Sequence, residues 1–265
     1  MRFVTRSWWF IGILALQACS HRLAPPRVSL NPLNASPKML DSLWTAAMDH
    51  YQRHKWDKAA AAFDRLELEL PPGDRRTLLS RLYLGELYVR SGSNLQGVRE
   101  YRRLVDEFPT DSLAPEALLR AGDAYAKLWR APDLDPTYGI TAQSVFTEVQ
   151  TRYPSSPAAA QARDRLKDLD NKFAAKDYKT GSYYLKYRAY ESAILMLKGL
   201  IVDHSQATVV PSALADLVKV YRKLGYVEDI KVVCTFVGRD WSATPQYRQS
   251  CVDSPPTAAE KSSGP

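Results

Sequence analysis

"GVREYRRLVDEFP", residues 97–109, sets a small residue, an aromatic, an aliphatic and a proline at spacings that recur along the chain. Counting back from Pro109, Gly97 lies twelve residues before it, Tyr101 eight and Leu104 five. The same counts from Pro71 give Ala59, Phe63 and Leu66, and from Pro154 they give Ala142, Phe146 and Val149. A fourth copy ends at Ser205 with Ala193, Leu197 and Leu200, and a weaker fifth has Ile230, Cys234 and Val237. A small residue lets two helices approach closely, the aromatic fills the gap beside it, and proline ends the helix and opens the next turn.

This is the second helix of a tetratricopeptide (TPR) repeat. The matching first helix needs a small residue twelve positions earlier and an aromatic nine earlier, and Gly85 with Tyr88 and Gly181 with Tyr184 supply both. Copy three has Gly122 and Tyr125, with eight extra residues before Ala142; copy five keeps Tyr221; copy one has Ala47 and His50, with Trp56 in the turn. No convincing alternating strand interrupts them. The pattern predicts an all-α fold, a right-handed superhelix of about five TPR helix pairs with a concave inner face. Two departures stand out: "WRAPDLDPTYG", 129–139, is inserted inside copy three, and residues 158–187 read as one long helix spanning copies three and four.

The chain opens with Met1, Arg2 and Arg6, then the nine apolar residues Trp8 to Leu16. A membrane-spanning helix needs about 20, so this is the length of a secretory signal's apolar region. It ends in Leu16-Gln17-Ala18-Cys19, which resembles the bacterial lipobox. Residues 1–18 are expected to be a cleaved lipoprotein signal peptide, with Cys19 as the lipidation site. Each buried methylene of the attached chains contributes about 0.8 kcal/mol, so two or more chains hold durably. Ser20 stands where an Asp commonly retains lipoproteins in the inner membrane, so the outer membrane, facing the periplasm, is expected. Residues 19–35, with three prolines, read as a lipidated flexible tether, 36–239 as the TPR domain, and 240–265 as a disordered tail.

The formal charge of +7 invites nucleic acid as a partner. An exported chain whose basic runs never exceed two residues argues against that. No Gly-rich phosphate loop, nucleophile elbow or zinc-protease helix is present. His50 and His54 are spaced for a metal, but no carboxylate or cysteine completes a set. Catalytic and metal sites are therefore expected to be absent, with no cofactor beyond the covalent lipid on Cys19.

Function is then sought on surfaces. The thirteenth position of the first helix in copies two to five is Arg90, Lys127, Lys186 and Lys223. That column suits acidic segments or a peptide's terminal carboxylate. It equally suits the negative end of each helix dipole, and Glu86 and Asp123, four residues before Arg90 and Lys127, offer ordinary surface pairs. In copy one the column fails at Gln52, and Trp44 and Tyr51 face roughly the same way, offering an aromatic end to a peptide groove. Cys234 and Cys251 either form a disulfide that ties the tail to the last helix or remain two unpaired thiols.

The lipobox, the five pairs, "LDPTYGITAQSVFTEVQTRYPSSP" and "AAKDYKTGSYYLKYRAYESAI" together resemble the BamD family, TPR lipoproteins of the outer-membrane β-barrel assembly machine. Asp135-Pro136 matches the family's Asp-Pro, Tyr153 to Ser156 its Tyr-Pro-x-Ser turn, and Tyr183, Tyr184, Tyr190 and Ala193 the close of its long helix. The resemblance covers about residues 19–240. It implies a scaffold that binds BamA, the β-barrel subunit, through its C-terminal repeats and unfolded outer-membrane proteins through its N-terminal ones, beside other lipoproteins of the machine. The chain departs from the family at Asp177, where many relatives have Glu, and at His204-Ser205, where a Tyr-Pro turn is missing. The basic residue through which relatives meet BamA falls near Met196, where Lys198 is the nearest cation, so that contact is carried to no named residue. The alternative is a periplasmic TPR adaptor that binds peptidoglycan or cell-envelope enzymes, which the positive charge also suits.

Overall fold

Ser36 opens the first helix. Its hydroxyl accepts the backbone N–H of Met39, and Pro37 fills the first helical position, where no N–H is needed. The computed structural model describes residues 36–253. Cys19, the signal, the tether and residues 254–265 lie outside the described residues. Ten helices follow in antiparallel pairs: α1 (Pro37–Gln52) with α2 (Trp56–Glu69), α3 (Arg75–Arg90) with α4 (Asn94–Glu107), α5 (Ala114–Leu128) with α6 (Thr137–Arg152), α7 (Pro157–Lys186) with α8 (Tyr190–Asp203), and α9 (Val210–Leu224) with α10 (Val227–Trp241). A one-turn helix, α11 (Pro245–Tyr247), and a π-type turn (Arg248–Val252) close the described chain.

The repeat frame read from sequence is the packing frame. A Cβ built at Gly85 would lie 2.4 Å from Tyr101 Cε1, one at Gly122 2.4 Å from Phe146 Cε1, and one at Gly181 2.7 Å from Leu197 Cδ2. Each first-helix glycine is thus filled by the large residue of the second helix. Ala59, Phe63, Leu66, Tyr101, Leu104, Ala142, Phe146, Val149, Ala193, Leu197 and Leu200 are all buried. Each large apolar side chain removed from water contributes roughly 1.5–3 kcal/mol. The core falls into three clusters: one of pair one closed by Leu84 and Leu87 of α3, one spanning pairs two and three and the first half of α7, and one spanning the rest of pair four and pair five.

The long helix expected over 158–187 is α7, thirty residues capped by Ser156, whose Oγ accepts the N–H of Ala159 at 3.2 Å. It joins two cores: Ala162 and Leu169 belong to the cluster of pairs two and three, Ala174 to that of pairs four and five. The insert of copy three is anchored rather than loose. Trp129 is 1% exposed, its ring centroid 4.6 Å from that of Phe173. Lys172 donates to the Trp129 carbonyl, Lys176 to that of Leu134 at 3.2 Å, and Lys179 pairs with Asp133 at 3.3 Å. These three lysines lie along one stripe of α7.

The expected tail boundary needs correction. Residues 240–253 are not part of a disordered tail: 240 and 241 end α10, and 242–253 fold back on α9 and α10. Cys234 and Cys251 are bonded, Cα atoms 5.7 Å apart, and Ser250 is buried. Arg222 donates to the Ser250 carbonyl at 2.7 Å, and Trp241 Nε1 to that of Ser205 at 2.9 Å. The physical reason is that Trp241, Tyr247 and Cys251 have apolar surface to bury, unlike the polar composition of 254–265.

Candidate functional site: two clefts along the first helices

The first helices of successive pairs pack against one another, α5 on α7 and α7 on α9, and so line one side of the stack. Six of the eight groove residues expected from sequence face two separate clefts there. Glu86, Arg90, Asp123 and Lys127 line one of about 780 Å³ between pairs two and three, with Val89, Tyr101, Arg120 and Arg165. Lys186 and Lys223 line another of about 370 Å³ between pairs four and five, with Arg188, Tyr190 and Lys219. The basic column is divided, not continuous.

The first cleft neutralises most of its own charge. Glu86 Oε1 accepts from the Tyr51 hydroxyl at 2.9 Å and from Arg90 Nη2 at 2.8 Å, while its Oε2 takes Arg120 Nη1 at 3.4 Å. Arg120 also donates to Glu116 at 2.8 Å. The expected Asp123–Lys127 pair is not formed; Asp123 accepts from Arg165 of α7 at 2.8 Å. The fork of a guanidinium reaching across from the next pair satisfies a carboxylate better than a lysine one turn along the same helix. Burial pushes the Asp123 carboxyl above its ordinary range, against the pull of Arg165. Burial also pushes Tyr101 up to about 12. Tyr51 reaches about 12 too, from burial and then its bond to Glu86.

Trp44 and Tyr51 do not form a free aromatic wall. Both are half-buried in a cluster with Phe63 and Tyr83, with ring centroids 5.8 Å apart for Trp44–Phe63 and 4.8 Å for Tyr51–Tyr83. Tyr51 is tied to the first cleft only through its hydroxyl on Glu86. Arg90 also stands 4.9 Å from the centre of the Trp56 ring.

The second cleft differs. Lys186, Arg188, Lys219 and Lys223 make no ion pair among the described residues, and no carboxylate lines it. Lys223 Nζ lies 5.1 Å from the Tyr190 ring centre and Lys186 Nζ 5.9 Å from that of Tyr187. Arg120, Arg165, Arg188 and Lys219 stand outside the repeat columns that the sequence pattern picks out. Among the described residues no group of three or more His, Cys, Asp or Glu is placed to hold a metal ion, and no helix is long and apolar enough to cross a membrane.

A family model described as YfiO, outer membrane lipoprotein, matches residues 37–233, from the start of α1 into α10. The outer membrane protein assembly factor BamD of Caulobacter vibrioides is 24% identical over 197 residues, which cover 72% of this chain and 63% of that protein. The chain thus spans less than two thirds of that relative. BamD of Neisseria meningitidis serogroup A is 24% identical over 196 residues, 70% of this chain and 73% of its own length. Among solved structures, the TPR2AB domain of yeast Sti1, in its pHSP90 complex, aligns with a TM-score of 0.43 and 12% identity over 80% of this chain and 81% of that one. A thermophilic TPR protein of Thermus thermophilus aligns with a TM-score of 0.35 and 16% identity over 79% of this chain and 95% of its own.

Proposed function

The chain belongs to the YfiO family of outer-membrane lipoproteins, and we propose that it serves as a non-catalytic scaffold of outer-membrane protein assembly. In this reading Cys19 carries the lipid and holds the protein on the periplasmic face of the outer membrane. The TPR stack binds a BamA-like β-barrel subunit, works beside other assembly-machine lipoproteins, and receives unfolded outer-membrane proteins, promoting their insertion. The observation that carries the reading is the family match running from α1 into α10.

Two features of the fold support it. The anchored insert and the thirty-residue α7 join the core of pairs two and three to that of pairs four and five through one continuous helix, which suits a spacer holding two partners apart. On α8 and α10, Val202 and Val232 are 56% and 69% exposed around a shared cavity with Phe236. Exposed apolar surface of this kind marks a protein contact, and it supports placing the barrel subunit on the C-terminal pairs. The unpaired cations of the second cleft favour one other reading, a periplasmic adaptor for peptidoglycan or its enzymes.

Mass spectrometry of what co-purifies with the tagged protein from gently solubilised membranes separates the two. Assembly predicts a large barrel protein with repeated periplasmic domains at near-equal amounts, and depletion should lower outer-membrane barrel proteins as a class. Peptidoglycan enzymes without a barrel protein, with altered cell shape and intact barrels on depletion, would overturn it. Cys19→Ser should release the protein from outer-membrane fractions; a variant still floating with them would refute the anchor.

A further inference from the structure

We propose that the cleft between α7 and α9, formed by Lys186, Arg188, Lys219 and Lys223, is an anion-binding subsite for a carboxylate-bearing segment of an extended polypeptide. This deepens the scaffold reading, and rests on it in taking the ligand to be a polypeptide.

The contrast between the clefts carries the inference. In the first, Arg90, Arg120 and Arg165 are each paired with a carboxylate. In the second, four cations surround about 370 Å³ with no carboxylate among the lining residues. Helix dipoles account for only half of this. Lys186 and Lys223 lie in the last turns of α7 and α9, where cations are favoured. Lys219 lies one turn before Lys223, where a like charge is unfavourable. Arg188 lies beyond the end of α7 altogether.

Arg188 is the second observation. Its φ is +59°, the left-handed region that favours glycine. The same slot, two residues after the thirteenth position, holds Gly92 at φ +86° in pair two and Gly225 at +75° in pair five. In pair one it holds His54, which stacks on Trp56 with centroids 4.8 Å apart. Arg188 has no such stacking partner; it is exposed and lines the cleft. A strained backbone that keeps a side chain without an internal partner points to a ligand outside the fold.

The ligand is a chain segment rather than a membrane surface. The cleft lies between the stacked helices α7 and α9, a recess that a strand of polypeptide enters and a flat bilayer does not. Planar carboxylates suit Arg188, and three ammonium groups around it tolerate varied positions of a second or terminal carboxylate. Tyr190 adds an apolar wall at the rim.

The test is fluorescence anisotropy on the purified full-length protein in detergent, using a short labelled peptide of Tyr, Thr and Asp with a free C-terminus. The control peptide carries Asn for Asp and an amidated C-terminus. The acidic peptide should bind, weaken steeply with salt, and outbind the control about tenfold. Lys219→Gln with Lys223→Gln should weaken it about tenfold, and Lys231→Gln, on α10, should not. Arg188→Gly guards against misfolding: it should bind several-fold more weakly while melting about 2 °C higher, because glycine relieves the left-handed strain. Equal binding of the two peptides, or unchanged affinity in both cleft variants, overturns the subsite. Competition by anionic phospholipid in mixed detergent micelles but not by unlabelled peptide overturns the polypeptide assignment. These readings do not depend on barrel assembly in cells, so the subsite and the scaffold reading fail separately.

Discussion

Nε2 of His204 lies 3.6 Å from the Asp177 carboxylate, and Nδ1 of the same ring lies 2.6 Å from Asp170 Oδ1. Asp177 and His204, two positions that the sequence sets apart from the expected family pattern, come together in the structure. The imidazole ties the end of α8 to two points on α7, in place of a Tyr-Pro turn. Burial raises the Asp177 carboxyl above its ordinary range, with His204 pulling against it. A double-mutant cycle with Asp177→Ala and His204→Ala should give a coupling of about 0.5–1 kcal/mol by chemical denaturation. Additive effects would mean that the two departures are unrelated.

Two glycines should respond to alanine with opposite signs. At Gly122 a methyl group would lie 2.4 Å from Phe146, inside a filled core, and overpacking of this kind costs about 1–3 kcal/mol. At Gly199, inside α8, nothing lies within 4 Å, so alanine should gain up to about 1 kcal/mol of helix propensity. Thermal melts of Gly122→Ala and Gly199→Ala check both, and Gly122→Leu should be worse still. A neutral Gly122→Leu would break the repeat frame itself.

The fold was legible because its decisive contacts are local. Gly85 meets Tyr101 and Gly122 meets Phe146 within one helix pair, so spacing along the chain reports them. The site was only half legible for the same reason. Arg165 reaches Asp123 across a pair boundary, and Lys219 joins Lys186 only when α9 stacks on α7. No spacing rule inside one repeat contains those distances. Arg188 did leave a signal, a charged residue in the slot that holds Gly92 and Gly225.

Trp129 should be among the costliest residues to truncate. It is 1% exposed, packed on Phe173, and so close to Gly139 that a Cβ there would lie 2.3 Å from its ring. Trp129→Ala should lose about 3–5 kcal/mol. Leu134, in the same insert but 50% exposed, should change stability by less than about 0.5 kcal/mol when made alanine. Equal effects in denaturant titrations would mean that the insert is a surface appendage rather than part of the core.

Asp74 gives a pH dependence with a definite sign. Its carboxylate accepts the Arg76 N–H at the start of α3 and takes the Arg76 guanidinium at 2.6–3.1 Å. The side-chain bond to Arg76 holds its carboxyl below the ordinary range. A pKa lowered on folding adds stability above the unfolded value, near 3.9, and loses it as pH falls through the folded value. Asparagine still caps a helix but lacks the charge. The melting temperature gap between the native protein and Asp74→Asn should therefore be widest near neutral pH and close below about pH 4. A gap constant with pH would assign the whole effect to the cap.

The Cys234–Cys251 bond should act on the end of the stack alone. It closes a loop of 17 residues, a length for which a disulfide contributes about 3 kcal/mol. The returning segment has other holds. Tyr247 lies against Gly238, where a Cβ would come 2.5 Å from its hydroxyl, and Arg222 donates to Ser250. Cys251→Ser should therefore lower the melting temperature without unfolding pairs one to three, whose cores share no residue with this cluster. Limited proteolysis should show new cleavage confined to residues 242–253, and reductant should convert the native protein to the same pattern. Cleavage spreading into α3 to α6 would show instead that the stack melts as one cooperative unit and that the bond guards all of it. An unchanged melt in both cases would leave the segment held by Tyr247 and Arg222 without help from the disulfide.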